Sequence, residues 1–355
     1  MNLLLSYGIG ALFICFSLVT FFISRIPTDE FPDDYDFNMD PFWTIFSVMF
    51  LGATIAYFVF PQLPDMIKSY SYGTDILLPF ALAFILYICH LCDWDIFSYI
   101  LTFIFGLIIS FLQPDDFILF PEKLTLWQDR IAVAALISFF SIGLSLLNGL
   151  GAIASMQFIV VMGCGAVLAY FSALPSLLGV LALVYFGCML AFSFFSWPPE
   201  KLVLNNGAFM AFGFIMSCYM LNSSVEFADA PMFIAASYLV VEFFITIYNY
   251  FINNEKSDYL FMSSSYYKIS EDRRYEEGVV HGVLKILLID LVLSMLQIAA
   301  SERLAIPVFA LAVNWWLLSI LSGESTPQPM FSITKAGFRA VKKVLSKKDN
   351  SQKLK

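Results

Sequence analysis

Charge is what this sequence has least of: Asp, Glu, Lys and Arg make up 13% of its 355 residues, about half the share of a soluble globular chain. That shortage excludes a plain soluble enzyme, and it excludes a nucleic-acid binder, which needs a basic face to meet phosphates. Histidine is scarcer still, with two in the chain, so no zinc or haem-attachment pattern can be assembled from it. The six cysteines, Cys15, Cys89, Cys92, Cys164, Cys188 and Cys218, sit in or at the edge of apolar runs. They read as small hydrophobes and carry no redox role. Internal repeats are also missing, which argues against a transporter built from two related halves.

Apolar sequence fills the space instead. Hydrophobic residues make up 60% of the chain and the mean hydropathy is +0.80. Runs near 20 residues recur at about 3–24, 42–60, 75–91, 96–112, 131–147, 153–171, 175–195, 208–223, 231–251, 283–300 and 304–322, each long enough to cross a bilayer as a helix. The expectation is an all-α, polytopic transmembrane bundle over residues 1–325, with eleven helices or ten, followed by a basic tail at 326–355. The first run is read as a membrane helix and not a signal peptide, because it is longer than a signal core and no small-residue cleavage site follows it.

Basic residues are sorted along the chain. With the N-terminus placed outside, 15 of the 19 Lys and Arg residues fall in inward-facing breaks or the tail, and only Lys68, Lys123, Arg130 and Arg303 face outward. The positive-inside rule therefore predicts an external N-terminus and a cytoplasmic C-terminus, in a multi-pass protein of the cell (inner or plasma) membrane. The acidic 25–41 stretch does not oppose this, since acids count little toward orientation. Phe331, Phe338, Val341, Val344 and Leu345 alternate with Lys and Arg in the tail, which suits either a helix lying on an anionic membrane surface or a disordered solubilising tail.

Polar groups at membrane depth are costly and are functional candidates. Asp93 and Asp95 flank Trp94 in a short break, Glu242 lies inside the ninth run and Asp290 inside the tenth. A partner on a neighbouring helix is the other reading for the last two. The longest internal polar segment, the 252–282 loop, carries Lys256, Lys268, Arg273 and Arg274. It is either an anion-contacting loop, through the forked donors of its arginines, or an ordered connector. Asp115 and Asp116 beside Pro114 fall on the outer side and read as a solvated loop.

A family resemblance rests on three segments in order. Residues Phe195-Ser196-Trp197-Pro198-Pro199-Glu200-Lys201-Leu202-Val203-Leu204-Asn205-Asn206-Gly207, Cys92-Asp93 followed by Ser98, and Leu147-Asn148-Gly149-Leu150-Gly151 resemble signatures of the polyprenyl-phosphate N-acetylhexosamine-1-phosphate transferase superfamily (bacterial glycosyltransferase family 4). Those enzymes move a phospho-sugar from a UDP-sugar to a polyprenyl phosphate such as undecaprenyl phosphate in cell-envelope glycan synthesis. The resemblance implies a ten- or eleven-helix bundle with an external N-terminus. It implies Asp93, with Asp95 nearby, as the catalytic carboxylate, and Asn148, Lys201, Asn205, Asn206, Arg273 and Arg274 as substrate contacts. Asp93 and Asn206 are the implied Mg²⁺ ligands. The implied partners are the lipid bilayer, the lipid phosphate, the UDP-sugar and envelope-glycan enzymes.

The chain departs from that pattern where the chemistry lies. Cys92 stands in place of the first acid of the pair, Asn148 and Gly151 replace both acids of the turn, and Asn206 replaces the acid of the Phe-Met-Gly-Asp signature. The expected lysine is missing, with Thr102 near its place, and so is the histidine-rich loop motif; His281 is read as structural. One carboxylate with two amides makes a poor Mg²⁺ site. The expectation is a degenerate member that keeps the fold and binds lipid phosphate or a pathway partner without catalysis. Two other readings stand beside it: an active transferase with a divergent Mg²⁺ site, and a transporter or lipid flippase built around Asp290 and Glu242.

Overall fold

The computed structural model describes residues 2–26, 41–59, 71–92, 94–114, 118, 124–147, 153–170, 174–196, 202, 204–226 and 239–240. Eight α-helices lie among them: α1 Asn2–Ile23, α2 Pro41–Val59, α3 Leu78–Leu91, α4 Asp95–Phe111, α5 Leu126–Leu146, α6 Ile153–Tyr170, α7 Ser176–Ser196 and α8 Asn206–Glu226. The described residues contain no strand. Four segments are long and apolar enough to cross a membrane, Pro41–Val59, Gly73–Leu91, Leu126–Leu146 and Ser176–Ser196, with shorter apolar stretches at Tyr7–Ile23, Ile96–Phe111 and Ala154–Tyr170. The protein is a helical membrane protein by this measure.

Sequence chemistry accounts for several ends and irregularities. Pro41 opens α2, where its missing N–H costs nothing. Before α3 the backbone runs through a π-helical turn, Gly73–Leu77, with the Leu78 N–H reaching back to the Gly73 carbonyl. Pro79 explains that turn: it has no N–H, and its ring would strike the carbonyl of Asp75 four residues earlier, so the helix widens there. Asp75 Oδ2 accepts the Ser71 N–H at 2.5 Å and the Thr74 hydroxyl at 3.2 Å.

The start of α5 differs from the expected 131 and lies five residues earlier, at Leu126. Hydropathy breaks at Asp129-Arg130, but the backbone continues through them because Thr125 and Gln128 form a capping box. Arg130 is therefore a helical residue and not part of the outer break.

Helix α8 is the hub. Every residue from Gly207 to Ser223 is buried, and the helix packs against α3, α5 and α6. A helix covered on all sides has no polar face to signal it. Small residues let the backbones close in: a Cβ added at Gly213 would lie 2.8 Å from the Ser141 Cα of α5, and the Ser141 hydroxyl donates to the Met210 carbonyl of α8 at 2.8 Å. Helix α7 forms the second centre, flanked by α1, α2 and α6.

Helix α4 is apolar outward and polar inward. Ser98 and Thr102 are buried beside Phe105 and Ile109, whereas Ile96, Ile100, Ile104, Ile108 and Phe111 are exposed. That pattern suits lipid outside and helix neighbours inside.

Candidate functional site

One end of the bundle gathers the C-terminus of α3 and the N-terminus of α8. His90 lies in the last turn of α3 and Cys92 caps that helix. Gly207, the second residue of α8, faces His90 so closely that a Cβ there would lie 2.6 Å from the His90 Cβ and Cδ2 atoms. Only glycine permits that approach. Asn205 stands just before α8 with its Oδ1 accepting the Ala208 N–H at 2.7 Å, the geometry of an N-cap. Its carbonyl receives the Phe209 N–H at 3.4 Å. Asn206 follows, half-buried, as the first helical residue.

The chain between α7 and α8 folds back on itself, since the Leu202 N–H donates to the Phe195 carbonyl at 3.2 Å and Leu204 is buried. Thr102 is fully buried, with its hydroxyl donating to the Ser98 carbonyl at 2.7 Å and lying 3.6 Å from the Met210 sulfur of α8. It therefore serves α4–α8 packing and leaves no cation at that place.

Of the residues expected at a site, Asn205 and Asn206 share this end with Cys92, which is exposed. Asp95 opens α4 at the same break. Asp93, Asn148, Lys201, Arg273, Arg274, Glu242, Asp290 and His281 lie outside the described residues. The described side chains at this end are amides, an imidazole and a thiol, which by themselves do not fit Mg²⁺, a hard cation that wants carboxylate oxygens; the side chains of Asp93 and Asp95 lie outside the described ones, and no group of three His, Cys, Asp or Glu among the described residues can hold a metal.

His90 is the contact at this end that sequence reasoning missed. Its signal, a glycine opposite it in space, is 117 positions away in the chain. A second missed cluster lies at the other end of the bundle. Asp129 and Arg130 are buried near the start of α5, with Arg130 only 2% exposed. The Arg130 Nη2 donates to the Gln113 carbonyl at 3.2 Å and the Pro114 carbonyl at 2.7 Å, so it serves carbonyls just past the end of α4. The Gln113 amide reaches Asn222 Oδ1 near the end of α8 at 3.5 Å. Adjacent charges of opposite sign inside a helical pattern were the available signal.

The chain matches no protein-family model, and no curated protein matches it.

Proposed function

We propose that this chain is a degenerate polyprenyl-phosphate sugar-1-phosphate transferase, a multi-pass protein of eleven crossings with an external N-terminus that binds a polyprenyl phosphate or a glycan-pathway enzyme without turning substrate over. The observation that carries this reading is the meeting of the α3 and α8 ends, with His90 against Gly207. It brings Cys92 and Asn205-Asn206, two segments of the resemblance over a hundred residues apart, to the same end of the bundle. Loss of activity follows from side-chain chemistry: a thiol and an amide stand where the resemblance calls for carboxylates, and neither neutralises a metal-bound pyrophosphate.

The test is transfer of labelled sugar phosphate from UDP-N-acetylglucosamine to undecaprenyl phosphate by purified protein, with and without Mg²⁺ and with Asp93→Asn as control. No turnover by folded protein, together with retention of polyprenyl phosphate, is the expected result. Turnover that needs both Mg²⁺ and Asp93 would overturn it in favour of an active enzyme using Asp93, Asp95, Asn148 and Asn206. Neither turnover nor lipid-phosphate binding would remove the family reading and leave the transporter or flippase.

A further inference from the structure

We propose that Cys89 and Cys92, at the end of the bundle where α3 meets α8, form a redox-active dithiol that closes to a disulfide by exchange with a low-molecular-weight disulfide. The proposal does not depend on the family reading.

The apolar setting of the six cysteines predicts small hydrophobes without redox chemistry, and the structure sets this pair apart from that expectation. Cys15, Cys164, Cys188 and Cys218 are buried, whereas Cys92 is exposed. Cys89, three residues earlier on α3, is 8% exposed. The Cys92 N–H still donates to the Ile88 carbonyl at 3.1 Å, so Cys92 follows the helical path and stands one turn beyond Cys89. Helix geometry sets Cα atoms three residues apart at about 5 Å, inside the range of roughly 4.4–6.8 Å that a disulfide spans. Cys89 also lies within reach of the charge on Cys92.

Cys92 caps α3, with ψ of 14°. No further turn of α3 follows it, so its side chain can swing toward Cys89 without unwinding a helix. His90 does not intrude between them. Successive helical residues point about 100° apart, and the imidazole is held against Gly207 of α8.

The exposed and the buried place divide the chemistry. The Cys92 sulfur, as thiolate, attacks one sulfur of an incoming disulfide RSSR; that S–S bond breaks, RS⁻ leaves and a mixed disulfide remains on Cys92. The Cys89 sulfur then attacks the Cys92 sulfur and expels the second RS⁻. Two electrons pass from the pair to RSSR, and the two thiol protons end on the released thiolates as 2 RSH. Only the first step needs access from outside, so the burial of Cys89 is no obstacle to the second.

Position on the helix sets the direction of exchange. A Cys-x-x-Cys pair at a helix N-terminus becomes an oxidant when the dipole there stabilises its reduced, anionic form. This pair stands at the C-terminal end of α3, where that stabilisation is absent, so the uncharged disulfide is favoured and the dithiol is a reductant. On the expected topology this end faces the cytoplasm, where such pairs cycle and do not stay closed as structural bridges.

The test exposes the reduced full-length protein in detergent to equal concentrations of reduced and oxidised glutathione. The reaction is quenched with acid and alkylated under denaturing conditions, and products are read by intact mass and peptide mapping. The expected result is one intramolecular Cys89–Cys92 disulfide per chain, with the other four cysteines still alkylated. Cys89→Ser should accumulate the glutathione adduct on Cys92 that the wild type resolves, and Cys92→Ser should leave Cys89 alkylated. Thermal unfolding of each variant establishes that it is folded; Cys92 is exposed, so its replacement spares the core. A pair still fully reduced in the wild type would overturn the proposal. So would a stable adduct on wild-type Cys92, which would mean that Cys89 cannot reach it, or a disulfide that forms only between other cysteines.

Discussion

Asn205 separates two roles that one residue can hold. Its Oδ1 accepts the Ala208 N–H at 2.7 Å and closes the first turn of α8, and its position in the Asn205-Asn206-Gly207 run also makes it a candidate ligand contact. Asn205→Ala should cost about 1 kcal/mol of stability by loss of the cap. Asn205→Asp should keep the cap and gain from the positive end of the helix dipole. Thermal unfolding in detergent reads the difference, and equal losses in both variants would show that the cap contributes nothing. Gly207 and Gly213 are stricter, because the space they leave is filled by other helices. Gly213→Val should destabilise by at least 1–3 kcal/mol, the usual cost of overpacking, since the obstruction at 2.8 Å is the Ser141 backbone and cannot rotate away. Neither glycine is marked in the linear sequence, where each reads as one small residue in an apolar run. The amides and the exposed thiol of Cys92 were legible, because polar groups stand out against such a background.

Element ends follow from a contest between hydropathy and capping. The apolar window located α1, α2, α4, α6 and α7 to within a residue or two, and α3 to within two only when the π-helical turn before it is counted, because each is an unbroken apolar length. It failed at α5, where Asp129 and Arg130 lower the window average although both are buried within the helix. It also clipped α8, which runs to Asn206 and Glu226 beyond the expected 208–223, because a helix buried among protein can carry Asn and Ser that a lipid-facing one cannot. Helix α4 fixes the depth of the bundle. Trp94 precedes its first residue, and Trp127 packs edge-to-face on Phe111 at its last residue, with ring centroids 5.1 Å apart. Both tryptophans are exposed, 57% and 69%. The 17 residues between these marks span about 26 Å, near the roughly 30 Å hydrocarbon thickness, so the two indoles belong to opposite interfacial belts. In single-tryptophan proteins, each should be quenched more strongly by lipids brominated near the headgroup than by lipids brominated near the chain ends. Stronger deep quenching of either would place α4 wrongly in the bilayer.

For the molecule as a whole, helix ends that meet constrain the path of the chain. The end of α3 lies against the start of α8, through His90 and Gly207, and four helices separate those points in sequence. An even number of full crossings returns the chain to the side it left. The same parity holds at the other end, where Gln113 after α4 reaches Asn222 of α8. Four full crossings by α4 to α7 satisfy both meetings, and on that expectation one assignment of sides fixes the ends of α3 to α8. The charge distribution supplies that assignment as an expectation: 15 of the 19 basic residues fall on the side taken as inner. The burial of Arg130 strengthens it, since one of the four outer cations is then spent on the Gln113 and Pro114 carbonyls inside the fold. Single cysteines placed at Ser24 and Trp94 in a cysteine-free background should label only after the membrane is opened. Single cysteines at Gln113 and Thr125 should label with an impermeant reagent in intact cells. The reverse pattern would invert the topology and keep the fold; labelling of Trp94 and Gln113 positions from the same side would break the parity and with it the eleven-crossing bundle.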